Sequence, residues 1–280
     1  MGKDSNIAWT HHTFSPWWGC QRVSPGCEHC YAESFATGRM KLPIWGAKAE
    51  RRFFGEKHWN EPVRWNKAAA KAGERHRVFC SSMADVFEDR VDLVLPRGRL
   101  FDLIEATPNL DWLLLTKRPE NMLAMLPRAW LTSRRPNVWL GTTCEDQRRA
   151  EERLPRLLAT PAVVHFVSAE PLLEPIDFLR WIGGIDWLIV GGESGPKARP
   201  FDLAWARSIV DQCRSSDQTA ERLGRYGCAP FVKQLGTKPV HTPPDWGASC
   251  RPDGIRDSHG ADWEEWPSDL KVREFPAVVR

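Results

Sequence analysis

Short apolar runs alternate along the chain with segments whose apolar residues recur at helical spacing. Such continuous apolar runs are typical of strands buried on both faces of a parallel sheet, with the intervening helices covering those faces. We therefore predict an α/β fold, namely a (β/α) barrel or partial TIM-type barrel. Its predicted strands span residues 7–10, 77–81, 112–115, 138–141, 163–167, 187–190 and 230–233.

Helix signals lie between these runs. Apolar residues at helical spacing cover residues 100–104, and Pro119 stands where a second helix can begin. A charged helix is predicted from about residue 145 to 158, bent or broken near Pro155. A last helix is predicted from about residue 202 to 213, with Asp202 as its N-cap. We expect residues 1–238 to form a single barrel-like domain and residues 239–280 an irregular C-terminal extension.

Polar residues follow the predicted strands at their C-terminal ends. In a (β/α) barrel these ends meet at one mouth, which holds the active site. The alternative is that buried strands simply run into polar loops, which explains any one of these positions but not readily the whole succession. The residues are Ser81, Ser82 and Asp85; Thr116, Lys117 and Arg118; Thr142, Thr143 and Glu145; Ser168 and Glu170; Gly192, Glu193 and Ser194; Lys233 and Gln234.

The composition is that of a folded, cytoplasmic protein. Apolar residues make up 42% of the 280 residues, and the formal net charge of +3 indicates no global basic field. No apolar run approaches the roughly 18 residues of a membrane span, and the first residues lack the apolar core of a secretory signal. In a reducing compartment, the eight cysteines are more typical of metal binding or catalysis than of disulfides.

Three cysteines form the array C-x6-C-x2-C at Cys20, Cys27 and Cys30. Thiolates at this spacing bind zinc or an iron–sulfur cluster. Zinc requires a fourth ligand, and the candidates are His11, His12 and His29; the protein would then be a zinc-stabilised nucleic-acid-binding protein without catalysis. A cluster on three cysteines instead leaves one iron open for a reaction. A cluster that only transfers electrons would need a fourth cysteine, and none lies near the array.

The array follows the first predicted strand, and a three-cysteine loop in this position of a (β/α) barrel resembles the radical S-adenosylmethionine superfamily. Tyr31, directly after the last cysteine, is similar to the spore photoproduct lyase branch. The commonest superfamily spacing is C-x3-C-x2-C, so the first gap here is longer. Most of the chain resembles a second, often phage-encoded family, domain of unknown function 5131. That resemblance rests on WWGC at 17–20, LLTKRP at 114–119, SAEPL at 168–172, GGESG at 191–195 and KQLG at 233–236.

The superfamily resemblance implies a 4Fe-4S cluster on the three cysteines, S-adenosylmethionine on its open iron, and an electron donor that starts cleavage to a 5′-deoxyadenosyl radical. The radical would abstract a hydrogen atom from an unknown substrate. Residues 191–193 resemble the superfamily's Gly-Gly-Glu motif, which holds the methionine amine. That motif usually follows the second strand and here follows about the sixth, so Ser81, Ser82 and Asp85, after the second predicted strand, are equal candidates.

Charged and thiol-bearing residues at other strand ends complete the predicted site. A carboxylate such as Glu170 can accept from an ammonium group, and Lys117, Arg118 or Lys233 can pair with a carboxylate or phosphate, although each is equally explained by a structural ion pair. Two cysteines near strand ends are candidate hydrogen-atom donors, although a buried cysteine more often packs as a small apolar residue. The candidate catalytic residues are Cys80, Cys144 and Tyr31, and the candidate cofactor-binding residues are Ser81, Ser82, Asp85, Lys117, Glu145, Glu170, Gly191, Gly192, Glu193 and Lys233.

Residues 39–77 carry a local excess of positive charge. They contain eleven Lys and Arg against four Glu, with five large aromatic residues between them: Trp45, Phe53, Phe54, Trp59 and Trp65. Cationic and stacking side chains together suit a nucleic-acid strand. We therefore expect a basic aromatic insertion after the cysteine loop and a nucleic acid or nucleotide as substrate. The alternative is that the aromatic residues pack inward and the charges are solvated.

Overall fold

A curled parallel sheet forms the centre of the structure, a computed structural model that describes residues 5, 7–222, 227–241 and 250–278. The strands are β1 (His12–Phe14), β2 (Trp17–Trp18), β3 (Arg52–Phe53), β4 (His76–Cys80), β5 (Leu110–Thr116), β6 (Val138–Thr143), β7 (Val164–Ala169), β8 (Trp187–Gly191), β9 (Phe201–Asp202), β10 (Ala229–Gln234) and β11 (Pro239–Val240). Seven of them form a parallel half-barrel in the order β1-β4-β5-β6-β7-β8-β10. Among the described residues no pairing joins β1 to β10, so this sheet is an open half-barrel.

Helices lie between the strands and cover the outer face of the sheet. They are α1 (Tyr31–Glu33), α2 (Glu56–Trp59), α3 (Glu61–Ala72), α4 (Val94–Glu105), α5 (Met122–Met125), α6 (Arg128–Thr132), α7 (Gln147–Leu158) and α8 (Leu203–Arg222). A π-helical segment spans Ser34–Arg39, and 3-10 turns span Pro25–Cys27, Val91–Leu93, Pro119–Asn121, Ile182–Gly184, Trp263–Glu265 and Ser268–Leu270. None of the helices in the described part of the chain is long and apolar enough to cross a membrane.

Alternation of side chains along the strands builds two apolar layers, because successive residues of a strand point to opposite faces. The outer layer packs beneath the helices. The inner layer fills the hollow of the half-barrel and consists mainly of aromatic residues: Trp9, Phe79, Leu113, Trp139, Val164, Phe166, Trp187, Ile189 and Phe231. Gly141 belongs to this inner face, and a Cβ there would stand 2.4 Å from the Phe166 ring. The missing side chain therefore makes room for the phenyl ring.

Six of the seven predicted strands are confirmed to within two residues of their bounds. The prediction of a first strand at residues 7–10 is wrong, since the first strand is His12–Phe14 and the backbone N–H of Thr10 donates to the carbonyl of Ile7 in a turn. The apolar run is buried because Trp9 enters the inner layer, not because it is extended. The helix predicted to break near Pro155 continues through it to Leu158.

The last predicted helix is longer than expected. It spans Leu203–Arg222, and the Asp202 side chain accepts from the backbone N–H of Ala204, as expected for a residue that caps a helix start.

The prediction of an insertion at residues 39–77 is wrong for most of its second half. Helix α3 connects the parallel neighbours β1 and β4, and Trp65 and Ala69 on that helix are buried in the main core together with Trp59. Residues 56–72 therefore form the first crossover of the half-barrel. The two-residue strand β3 pairs with β2 instead of joining the large sheet.

The C-terminal segment packs along the free side of β10. The backbone N–H of Val232 donates to the carbonyl of Val272, and the Trp187 indole donates to the carbonyl of Glu274. The Arg77 guanidinium lies 4.0 Å from the centre of the Phe275 ring. This contact links the C-terminal segment to β4. Residues 272–275 therefore contact β8 and β10 at one side of the open sheet and β4 at the other.

We expect Gly141→Ala to lower the free energy of unfolding by about 1–3 kcal/mol, because the added methyl group overpacks the inner layer against Phe166. Gly98→Ala is the matched control, since a Cβ at Gly98 on α4 meets nothing within 4 Å. That change should stabilise the protein by about 0.5–1 kcal/mol through helix propensity. Urea unfolding of both variants measures the difference, and equal midpoints would contradict the packing argument.

Candidate functional site

A cavity of about 440 Å³ opens at the carboxyl edge of the half-barrel. Its floor is apolar, formed by Trp9, Phe79 and Leu115 of the inner region. Polar side chains from the strand ends surround it, and residues 19–31, here called the cysteine loop, form one wall. This volume lies in the range of about 300–1,000 Å³ typical of small-molecule sites. An apolar floor under a polar rim suits a ligand that has both kinds of surface.

The cysteine loop brings its three thiols to the same cavity. Cys20, Cys27 and Cys30 are free, half-buried and part of the lining. Among the described residues, no group of three or more His, Cys, Asp and Glu side chains is arranged to hold a single metal ion. The three thiols thus share one cavity.

A glycine sets the start of the cysteine loop. Gly19 has a φ of +114°, and a Cβ there would stand 2.4 Å from the carbonyl oxygen of Ile44. Both the backbone conformation and the close approach require a residue without a side chain. The position of Cys20, the next residue, therefore depends on the close packing of Gly19 against the Ile44 carbonyl group.

A first buried ion pair holds the beginning of the loop. The Arg118 guanidinium lies 2.8 Å from Asp85 Oδ2, donates to the carbonyl of Gln21 at 3.0 Å and has Nη1 3.7 Å from Cys20 Sγ. Asp85 also accepts from the Thr116 hydroxyl at 2.6 Å. Burial and the Asp85 carboxylate raise the pKa of Cys20 to about 12, against the lowering effect of Arg118.

A second buried ion pair holds the middle of the loop. Glu145 Oε2 lies 2.7 Å from Arg153 Nη1, and Glu145 Oε1 accepts from the backbone N–H of Gly26 at 3.1 Å. Burial acts to raise the pKa of Glu145, but the positive charges of Arg153 and Lys117 and the hydrogen bonds to its carboxylate outweigh this, so the pKa lies below its ordinary value. The side chain is therefore a carboxylate, and its hydrogen bond to the Gly26 backbone holds the cysteine loop on the side away from the cavity.

A third ion pair holds the end of the loop. Glu193 lies 2.6 Å from Arg199 Nη2 and 3.0 Å from His29 Nδ1, and Arg199 also donates to the carbonyl of Pro25 at 3.1 Å. Burial acts to raise the pKa of Glu193, and the hydrogen bonds from Arg199 and His29 lower it below its ordinary value. The carboxylate of the Gly-Gly-Glu segment thus binds Arg199 and His29 of the protein itself.

Besides Arg22, which lines the cavity and pairs with Glu33, three charged side chains face the cavity outside these anchors. Lys233 Nζ lies 2.9 Å from Glu170 Oε1, and Ser168 donates to Glu170 at 3.3 Å. Lys117 Nζ donates to the Thr143 hydroxyl at 3.3 Å, and within the described part of the chain no carboxylate forms an ion pair with it. The cavity therefore offers one paired carboxylate, one paired ammonium and one ammonium without a carboxylate.

Most of the predicted site residues line the cavity. They are Cys20, Cys27, Cys30, Tyr31, Ser81, Ser82, Asp85, Lys117, Glu170, Gly192, Glu193 and Lys233. The Tyr31 hydroxyl donates to the carbonyl of Ser82 at 2.9 Å, which joins the end of the cysteine loop to the segment after β4.

Four predicted residues do not line it. Cys80 and Cys144 are fully buried in the main core under the helices and do not reach the cavity. Glu145 lies behind the loop in its pair with Arg153. Gly191 stands beside Glu170, where a Cβ would lie 2.7 Å from Oε1, so its role here is to leave space for that carboxylate.

Of the three histidines considered as a fourth zinc ligand, only His29 lines the cavity. His11 accepts from the backbone N–H of Arg77, and His12 stacks on Trp65 near the start of β1.

Sequence reasoning missed Arg153 and Arg199, the partners of two carboxylates that it singled out. The available signal was indirect, since a carboxylate predicted to be buried requires a cation close by.

One comparison with known proteins gives a match. A family model described as "Protein of unknown function (DUF5131)" matches residues 4–236. No curated protein and no solved structure matches the chain.

We expect Glu145→Gln to destabilise the protein by about 3–5 kcal/mol, because it leaves the buried Arg153 cation without its counter-charge. Glu152→Gln is the matched control, next to Arg153 on α7; its carboxylate is solvated beside Arg148 and Arg149, so its loss should cost less than about 1 kcal/mol.

Urea unfolding measures both variants, and the labelling rate of the thiols with a disulfide reagent reports on the loop. Faster labelling in Glu145→Gln alone is expected, and unchanged labelling would mean that Glu145 does not hold the loop.

Proposed function

The chain belongs to the DUF5131 family, and we propose that it is a radical S-adenosylmethionine-type iron–sulfur enzyme. The observation that carries the proposal is the shared cavity, in which three free thiols of one loop face charged side chains from the strand ends. In the proposal, Cys20, Cys27 and Cys30 bind a 4Fe-4S cluster and S-adenosylmethionine occupies the cavity beside it.

The chemistry of the thiols supports a cluster. Each thiolate of a three-cysteine cluster binds a different iron, so its sulfurs need to share a cavity and not a point. The Arg118 N–H near Cys20 adds a hydrogen-bond donor of the kind that sulfur ligands of clusters accept.

The charged rim supports an amino-acid-like cofactor. A bound cluster, reduced by an external one-electron donor, would pass that electron to S-adenosylmethionine and so supply a 5′-deoxyadenosyl radical for hydrogen-atom abstraction from the substrate, with methionine as the other product. Lys117, which lacks a carboxylate partner, is the residue that we assign to the methionine carboxylate, and Glu170 is the acceptor for its ammonium group. Glu193 is left out of this assignment because Arg199 and His29 occupy its carboxylate.

The apolar floor has a separate role. Trp9, Phe79 and Leu115 exclude water from the end of the cavity opposite the rim. A dry cavity prevents a reactive intermediate from meeting solvent before it meets the substrate.

Anaerobic reconstitution tests the cluster. We expect about four iron and four sulfide per chain, and an EPR signal after dithionite reduction that changes when S-adenosylmethionine is added. Cys20→Ala, Cys27→Ala and Cys30→Ala should each lose the iron, whereas Cys250→Ala, which removes an exposed thiol outside the cavity, should keep it. One zinc per chain with no iron after reconstitution would overturn the proposal and indicate a structural metal site.

The basic segment at residues 39–77 supports a nucleic acid as the substrate. Of the eleven Lys and Arg in residues 39–77, Arg51 and Arg75 pair with carboxylates and Arg77 lies over Phe275. The other eight are exposed and form no ion pair with any described residue: Arg39, Lys41, Lys48, Arg52, Lys57, Arg64, Lys67 and Lys71.

Aromatic side chains lie among these charges. Tyr31 at the cavity is 58% exposed and Phe53 is 48% exposed, so both offer a ring on which a base can stack. Trp45 of the same basic segment lines the cavity. Arg52 lies on β3, which pairs with β2 directly before the cysteine loop. Two aromatic rings therefore lie at the cavity, and the exposed cations belong to the segment that contributes one of them, Trp45.

Binding of a fluorescein-labelled single-stranded oligonucleotide tests this surface. Arg39→Glu, Lys41→Glu and Arg52→Glu combined should weaken binding and lower the salt slope of log K by about 0.7 for each phosphate that the variant no longer neutralises. Arg128→Glu, Arg134→Glu and Arg156→Glu combined change the net charge equally on another part of the surface and should leave the slope unchanged. Equal weakening in both variants, or no binding by the wild type at low salt, would contradict a specific nucleic-acid surface.

A further inference from the structure

Arg118 contacts a thiol of the cysteine loop in addition to its carboxylate partner. Its Nη1 lies 3.7 Å from Cys20 Sγ while the same atom lies 2.8 Å from Asp85 Oδ2. Its Nη2 donates to the carbonyl of Gln21, next to that thiol in the chain. The guanidinium is therefore held by two oxygen atoms, Asp85 Oδ2 and the Gln21 carbonyl oxygen, and directed at the Cys20 sulfur.

The surroundings keep this charge from being screened. Arg118 and Asp85 are both buried, with side chains 6% and 7% exposed. Asp85 is itself held by the Thr116 hydroxyl and by the backbone N–H groups of Phe87 and Lys117. Charges in such a site act on a neighbouring group much more strongly than charges in water. A different rotamer of Arg118 or of Asp85 would break several hydrogen bonds.

We propose that Arg118 and Asp85 set the reduction potential of the cluster bound to this loop, with Arg118 raising it and Asp85 lowering it. This inference rests on the proposed function. Reduction adds negative charge to a cluster and its thiolates, so an N–H donor and a positive charge beside one sulfur stabilise the reduced form. The Asp85 carboxylate, bound to the same Nη1 nitrogen of that guanidinium, opposes that effect.

The electrostatic role predicts shifts of opposite sign. Arg118→Gln removes the positive charge and should move the midpoint potential to more negative values. Asp85→Asn removes the negative charge with little change of shape and should move it to more positive values. Arg118→Lys keeps the charge and should lie between Arg118→Gln and the wild type. A merely structural role would not give shifts whose sign follows the sign of the charge removed.

The measurement is a redox titration of the anaerobically reconstituted protein, followed by EPR, with iron and sulfide determined on each sample. Arg22→Gln is the matched control, because it removes an arginine within the cysteine loop. The Arg22 side chain is 55% exposed and paired with Glu33. Its shift should be smaller than that of Arg118→Gln, since solvent and salt screen its charge.

The outcomes separate this inference from the proposed function. A wild-type protein that binds no cluster overturns both. A wild-type cluster with equal potentials in Arg118→Gln, Asp85→Asn and the wild type, or with shifts in the same direction, overturns the inference alone. Loss of iron from Arg118→Gln, Arg118→Lys and Asp85→Asn together also overturns it, because the pair would then only build the loop.

Discussion

Buried charge pairs at the carboxyl edge of the sheet determine where the cysteine loop lies. A buried ion pair costs several kcal/mol of desolvation, and its attraction offsets that cost only when the remaining hydrogen-bonding positions are also filled. Here the loop backbone fills them, since the carbonyls of Gln21 and Pro25 accept from Arg118 and Arg199, and the N–H of Gly26 donates to Glu145. The loop and the ion pairs therefore stabilise each other, and three separate thiols are positioned by one set of contacts.

The parallel sheet makes this arrangement possible. All seven strands of the half-barrel run in the same direction, so the residues that follow β5, β6 and β8 meet at one edge. The hollow beneath that edge is filled by the aromatic inner layer, with space for Phe166 left by Gly141. A charged rim thus stands on an apolar floor, and the ion pairs are kept partly away from water. The strength of each pair depends on that burial as much as on the distance between its charges.

The strands and the polar edge could be predicted because both follow from short-range periodicity. The faces of single residues could have been predicted better: Phe79 points into the hollow, so Cys80, next in the strand, has to point outward into the helical layer. The partners of the carboxylates could not be predicted in this way. Arg199 reaches Glu193 from a later loop, and only the folded chain determines that this carboxylate binds Arg199 and His29 while Glu170 binds Lys233.

The charged side chains around the cavity form two groups: those that hold the cysteine loop in place and those that do not. Asp85, Glu145 and Glu193 are each matched by an arginine, and Glu170 is matched by Lys233, so the side chain that remains without a carboxylate is Lys117, among the described residues. Its positive charge acts on Cys30 and favours the thiolate, against the burial that raises the pKa of that thiol. An anionic group of a ligand that entered this cavity would find in Lys117 an ammonium group that no carboxylate of the described residues pairs with.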